Sequence, residues 1–131
     1  MSPEVVNRKL ALITTYLKDI KPYEAISFEE FMRRHYEIER LIELLQISAS
    51  DIIFHLIAAK GEPASTSYRA AFLRAGELGI ISRELSNNLA LGAGLRNILV
   101  HEYAEIDYAL LHKSIPAAIR DFIAFVKELS Q

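Results

Sequence analysis

The segment from Ser27 to Pro63 constrains the fold of this chain more than any other. Ser27-Phe28-Glu29-Glu30 has the pattern of a capping box, in which Ser27 and Glu30 each satisfy the other's end of a helix start. Phe31, His35, Ile38, Leu41, Leu45, Ser48, Ile52 and Leu56 then recur at steps of three or four. Ile42, Ala49 and Ile53 widen that face beyond a narrow stripe. Gly61-Glu62-Pro63 closes the run, glycine for a left-handed cap and proline as a stop. A helix of about thirty residues spans roughly 45 Å. A small compact domain needs less, so this helix either bends or lends part of its length to a partner subunit.

The same punctuation continues on both sides. Ser2-Pro3 places a capping hydroxyl before a proline at the first helical position. Val6, Leu10, Ile13, Leu17 and Ile20 form one stripe, and Pro22 ends it. Ser65-Thr66-Ser67 opens a shorter helix through Tyr68, Ala71, Phe72 and Ala75, ended near Gly76 and Gly79. Ser82 caps a fourth, carrying Leu85, Leu89, Gly92, Leu95 and Leu99. Gly92 and Gly94 lower its helix propensity, which makes sense if another backbone packs closely there. Asp107 caps the last helix, with Leu110, Leu111, Ile115, Ile119, Phe122, Ile123 and Val126 inward and Pro116 predicting a kink. No segment alternates with a two-residue period. The expected fold is all-α: one domain over residues 1–131, an antiparallel bundle of about five helices, one of them long.

Bulk properties narrow the function classes. At 131 residues and 51% apolar the chain can bury a core without disulfides or a structural metal. It contains no cysteine, which excludes thiolate metal sites and fits a reducing cytoplasm. The N-terminus has no basic start followed by an apolar block, so no signal peptide is expected. The apolar run Ile52–Ala59 contains His55 and is too short to span a bilayer. The net charge is −2. A protein that grips long nucleic acid by neutralising phosphates is normally basic. Any RNA contact here is therefore local, or built by assembly of subunits.

Arg96-Asn97-Ile98-Leu99-Val100-His101-Glu102-Tyr103 concentrates the reactive groups. Arginine stabilises phosphate charge and histidine moves protons near neutral pH. RNA is cut without metal when its 2′-hydroxyl attacks the adjacent phosphate. That step needs a base, a proton for the leaving 5′-oxygen, and positive charge on the crowded phosphate. His101 suits the proton roles and Arg96 the charge role. Five residues separate them, about 140° around a regular helix. Asn97 and His101, four apart, share a face, while Arg96 and Tyr103 are almost in line. Two copies of such a helix across a dimer axis would supply a concave site and two imidazoles. Read alone, the same residues fit a solvated arginine, a histidine on a helix dipole and a packed tyrosine.

The motif resembles the R-N-x-x-x-H-x-Y signature of HepT-like proteins (formerly DUF86), a branch of the HEPN superfamily. The resemblance covers essentially the whole chain. It implies a homodimer whose two Arg–His pairs face a shared cleft, and a metal-independent endoribonuclease toxin with Arg96 and His101 as the catalytic pair. Asn97 becomes the supporting polar neighbour. The implied partner is an MntA-like minimal nucleotidyltransferase antitoxin that attaches AMP to Tyr103. No cofactor and no membrane association are implied, and the expected location is the cytoplasm.

Other groups carry weaker signals. Asp51 and His55, and His35 and Glu39, stand four apart without a visible third metal ligand, so satisfied helix histidines are expected. His112 indicates nothing specific. Glu29-Glu30 against Arg33-Arg34 reads as a solvated helix face. Ser65-Thr66-Ser67-Tyr68-Arg69 fits either a phosphate contact at a helix start or simple capping. The alternative function is a non-catalytic nucleotide- or substrate-binding, regulatory subunit of a nucleotidyltransferase, and a third is a purely structural dimer.

Overall fold

The structure, a computed structural model, describes residues 3–101 and 106–130, with backbone alone for Pro3 and residues 95–101. Five α-helices account for nearly all of it: α1 (Pro3–Ile20), α2 (Phe28–Ala59), α3 (Tyr68–Glu77), α4 (Arg83–His101) and α5 (Tyr108–Leu129). A short 3-10 turn, Lys21–Tyr23, follows α1, with Pro22 inside it as the stop. No strand occurs among the described residues. The all-α bundle expected from the periodicity is the fold observed.

The caps form where the residue types place them. Ser27 Oγ accepts from the Glu30 N–H at 3.2 Å, Ser67 Oγ from Ala70 at 3.0 Å, and Asp107 from Leu110 at 3.0 Å. The capping box is half made, because the Glu30 carboxylate pairs with Arg33 one turn on. Gly61 and Gly79 both take positive φ, 75° and 74°. Each is the left-handed residue of a Schellman closure. After α2, Gly61 N–H donates to Ala58 O and Glu62 N–H to Ile57 O. After α3, Gly79 N–H donates to Gly76 O and Ile80 N–H to Ala75 O.

Helix α2 is the axis of the bundle, with α1, α3 and α5 packed along it. Its middle is buried on most of its circumference: Leu41, Ile42, Leu45, Gln46, Ser48, Ala49, Ser50, Ile52 and Ile53 all sit in the interior. By length and composition alone α2 is apolar enough to cross a membrane. Its apolar residues are instead spent on neighbouring helices, where Leu45, Ala49, Ile52 and Ile53 are fully covered. Helix α5 buries Leu111, Ile115, Ile119, Phe122 and Phe125. Leu110, expected inward, is 39% exposed, and Phe125 takes a core place that the sequence reading left out. Pro116 is accommodated within an unbroken α5.

Two contacts fix the ends of the helix that carries the motif and of the helix that follows it. The Glu128 carboxylate, in the last turn of α5, accepts from Ser82 N–H and from Ser82 Oγ–H, both at 2.7 Å. Ser82 Oγ in turn accepts from Leu85 N–H, so α4 begins on a cap held by α5. At the other end of α5, His112 Nε2 meets Ile26 O at 2.6 Å, with its ring against Phe28 and Phe31. The start of α5 is thereby tied to the start of α2.

Candidate active site

Arg96, Asn97 and His101 lie on the last turns of α4, with His101 its final residue. Their side chains lie outside the described residues, as does Tyr103 altogether. The backbone is α-helical through His101, so the step from Arg96 to His101 is a helical one.

The described surroundings are informative. A cleft of about 300 Å³ opens between α2, α4 and α5. Leu91 and Gly92 line it from α4, one turn before Arg96, and Ile106 lines it three residues after Tyr103. Both chain segments that flank the motif therefore border the same space. Ile42, Leu111 and Ala118 supply apolar wall, while Glu39, Glu43, Arg120 and Asp121 supply charge. Glu39 accepts from His35 Nδ1 at 2.8 Å, Glu43 pairs with Arg40, and Arg120 stands 3.8 Å from Asp121. Burial raises the Asp121 carboxyl above the usual carboxylate range, and the Arg120 charge and a hydrogen bond from Asn88 pull it partly back.

Gln46 is the group that sequence reading passes over. It is 6% exposed on the cleft side of α2. Its Nε2 donates to Gly92 O at 3.3 Å, tying α2 to the turn before Arg96. Its Oε1 is buried without a hydrogen-bond partner. The available signal was a glutamine set between Leu45 and Ile47, four residues from Ile42 and from Ser50, in the most apolar stretch of the helix.

Next to the cleft, His35 packs between Tyr36 and Tyr108 at ring distances of 4.1 and 4.6 Å. The Tyr108 hydroxyl is pushed up by burial first, then by the charges of Glu39 and Tyr36. His35 is thus a satisfied helix histidine. Asp51 lies 3.9 Å from Lys9, and His55 is exposed. Among the described residues no three His, Asp or Glu side chains converge as metal ligands would. On the α3 side, the Arg69 Cδ lies 3.6 Å from where a Cβ on Gly94 would stand, which brings an exposed guanidinium against α4 two residues before Arg96. Ser67 serves as the α3 cap, the simpler of its two expected roles.

Comparison with known proteins agrees with this architecture. Over 133 aligned residues the chain is 30% identical to the tRNA nuclease HepT of Aphanizomenon flos-aquae, spanning 99% of this chain and 90% of the relative. Its fold is similar to that of the tri-AMPylated HEPN toxin of Shewanella oneidensis in complex with MNT antitoxin. That similarity has a TM-score of 0.84 at 23% identity, covering 99% and 98% of the two chains. A mutant of the toxin–antitoxin MntA–HpeT gives 0.80 at 21% identity, covering 97% and 98%. At these identities the solved structures attest the fold. The family model Ribonuclease HepT-like matches residues 13–129, and the chain belongs to that family.

Proposed function

We propose that this chain is a metal-independent endoribonuclease toxin, working as a homodimer in the cytoplasm and silenced by a minimal nucleotidyltransferase antitoxin. The observation that carries this reading is the Arg96–Tyr103 motif, whose stretch Arg96 to His101 forms the last turns of α4, in a chain that matches the Ribonuclease HepT-like family over residues 13–129. The similarity to a tRNA nuclease over nearly the whole length supports an RNA substrate, with tRNA the first class to test. The similarity of fold to toxins solved with MNT or MntA antitoxins supports the partner.

The chemistry follows from the residue types. His101 takes the proton of the 2′-hydroxyl as its oxygen bonds to phosphorus. A second imidazole, from the other subunit, protonates the 5′-oxygen as the P–O bond breaks, which leaves a 2′,3′-cyclic phosphate and a 5′-hydroxyl. Arg96 neutralises the phosphate as charge accumulates there. Asn97 orients the phosphate or the imidazole beside it. Arg69, from α3, adds a second guanidinium at the approach to the motif. On α-helical backbone Arg96 and His101 are about 140° apart, which supports a site completed by a second chain. An apolar stripe at four-residue steps on α2, Phe28, Met32 and Tyr36, is exposed at 45%, 37% and 80%. Such a stripe supports burial against a partner.

AMP on Tyr103 would place a phosphate charge and a base beside the Arg–His pair and displace RNA. The test is expression of the wild type, His101→Ala and Tyr103→Phe, with RNA cleavage followed in vitro. Wild-type expression arrests growth, and His101→Ala abolishes arrest and lowers cleavage at least about a hundredfold. Tyr103→Phe keeps cleaving when the nucleotidyltransferase and ATP are added. Harmless wild-type expression together with no cleavage would favour the regulatory-subunit reading instead.

A further inference from the structure

We propose that the exposed row Phe28, Met32 and Tyr36, on the N-terminal half of α2, seats the same row of a second copy of this chain, the two helices antiparallel about a two-fold axis beside Met32. The inference rests on the homodimer of the reading above, to which it gives a face and a register. It uses none of that reading's RNA chemistry.

The first observation is how unevenly α2 is covered. It has 32 residues, against 18 in α1 and 22 in α5. Between Leu41 and Ile53 most of its residues are buried, whereas between Phe28 and Arg40 only Phe31 and Ile38 are. The length left over when the bundle is complete is the length that carries the row. Its three side chains recur every four residues, the spacing of one ridge on a helix surface. Aromatic residues and methionine are the types enriched at the centres of protein interfaces. The ends of the row are held before any partner arrives. Phe28 lies against Phe31 and His112, and Tyr36, 80% exposed, still stacks on His35. Less side-chain freedom is then lost on association.

The second observation is self-complementarity, which a two-fold contact requires. Phe28 and Tyr36 are equidistant from Met32, so an antiparallel axis at Met32 sets Phe28 of each copy on Tyr36 of the other. Ridges of this kind interdigitate in the commonest class of helix packing, at a crossing angle of about 50°. The charges match in the same register. Glu29 and Arg33 stand about 60° and 100° around the helix from Met32, on one side of the row. Both side chains are exposed. They straddle position 31, so the axis places Glu29 of one copy beside Arg33 of the other, twice.

The third is what this rim disfavours. Arg33 pairs with Glu29 and Glu30, and Arg40 with Glu43. Balanced charges neither repel a second copy nor draw an RNA backbone. A stable dimer buries about 800 Å² on each partner. The row supplies the apolar centre of such a contact and the paired charges supply its rim.

The chain contains no cysteine, so a single introduced thiol reports alone. Met32→Cys, on the axis, should be captured as a covalent dimer by a short bismaleimide. Leu12→Cys, exposed on α1, should remain largely uncoupled under the same conditions. Tyr36→Asp should weaken dimerisation at least about tenfold in sedimentation, with the helical melt intact. The register is tested by charge exchange. Glu29→Arg and Arg33→Glu chains should each dimerise less well than wild type, and mixing them should restore the dimer, although each chain keeps its own like-charged pair. That rescue cannot come from a contact within one chain.

A dimer that Tyr36→Asp leaves intact, with Met32→Cys coupling no better than Leu12→Cys, overturns this face and leaves the homodimer standing. A Tyr36→Asp protein that stays dimeric but no longer binds the nucleotidyltransferase overturns it too, in favour of the antitoxin as occupant. A chain that is monomeric at every concentration removes the face and the composite site together. Coupling through Met32 and charge rescue in a protein that cuts no RNA would keep the face and refute the nuclease.

Discussion

Gly76 and Gly92 both lie within helices, and they answer opposite needs. A Cβ at Gly76 would stand 2.4 Å from Ser86 Cβ and Oγ, so the missing side chain is what lets α3 and α4 meet. Ser86 then donates its hydroxyl to Phe72 O at 2.6 Å across that contact. At Gly92 a Cβ meets nothing, and at Gly94 it makes ordinary contact with Arg69. The close approach expected near Gly92 and Gly94 lies at Gly76 instead. Alanine should therefore act with opposite signs. Gly76→Ala should destabilise by about 1–3 kcal/mol through overpacking. Gly92→Ala should stabilise by about 0.5–1 kcal/mol through helix propensity. Urea midpoints at constant slope distinguish the two.

Asp121 carries a prediction in pH. Its folded carboxyl is raised above the ordinary value, chiefly by burial. The folded chain therefore holds that proton more tightly than the unfolded chain does. This contribution to stability is complete below the ordinary carboxylate pKa and is lost as pH rises through the raised folded value. Asp121→Asn removes the ionised form. It should melt at or above the wild-type temperature at neutral pH, and its advantage should shrink in acid. An advantage that grew in acid would contradict the assignment.

Among the elements, α4 depends most on its neighbours. Its cap is Ser82, and Ser82 is held twice by Glu128 from the far end of α5. Glu128→Ala should cost about 1 kcal/mol, the usual scale of a lost cap, with faster hydrogen exchange in the first turn of α4 than elsewhere. Helix boundaries were legible in the residues, because Ser27, Ser67, Ser82 and Asp107 act on backbone donors three positions away. The two glycine closures were legible for the same reason. The glutamate that steadies Ser82 was not, since it is separated from it by 46 residues and sits on another helix. The capping box failed in one half because Arg33, a turn away, offers the Glu30 carboxylate a charged partner.

For the molecule as a whole, the proposed site requires two chains. Solution scattering or light scattering should give the mass of a dimer, and dilution that dissociates it should abolish cleavage. A fully active species with the mass of one chain would sink the composite site. The all-α class, the helix ends and the motif were readable in the residues because each depends on local chemistry: helical periodicity, side chains within a few positions of a cap, and a short signature. Packing was less readable. Leu110 faces outward, Phe125 inward, and the middle of α2 is buried on most of its circumference, because burial depends on which helices surround a residue. The orphaned Oε1 of Gln46 and the cleft beside it exist only once α2, α4 and α5 come together. Periodicity marks an apolar face, but an unmet hydrogen bond is a property of three helices at once.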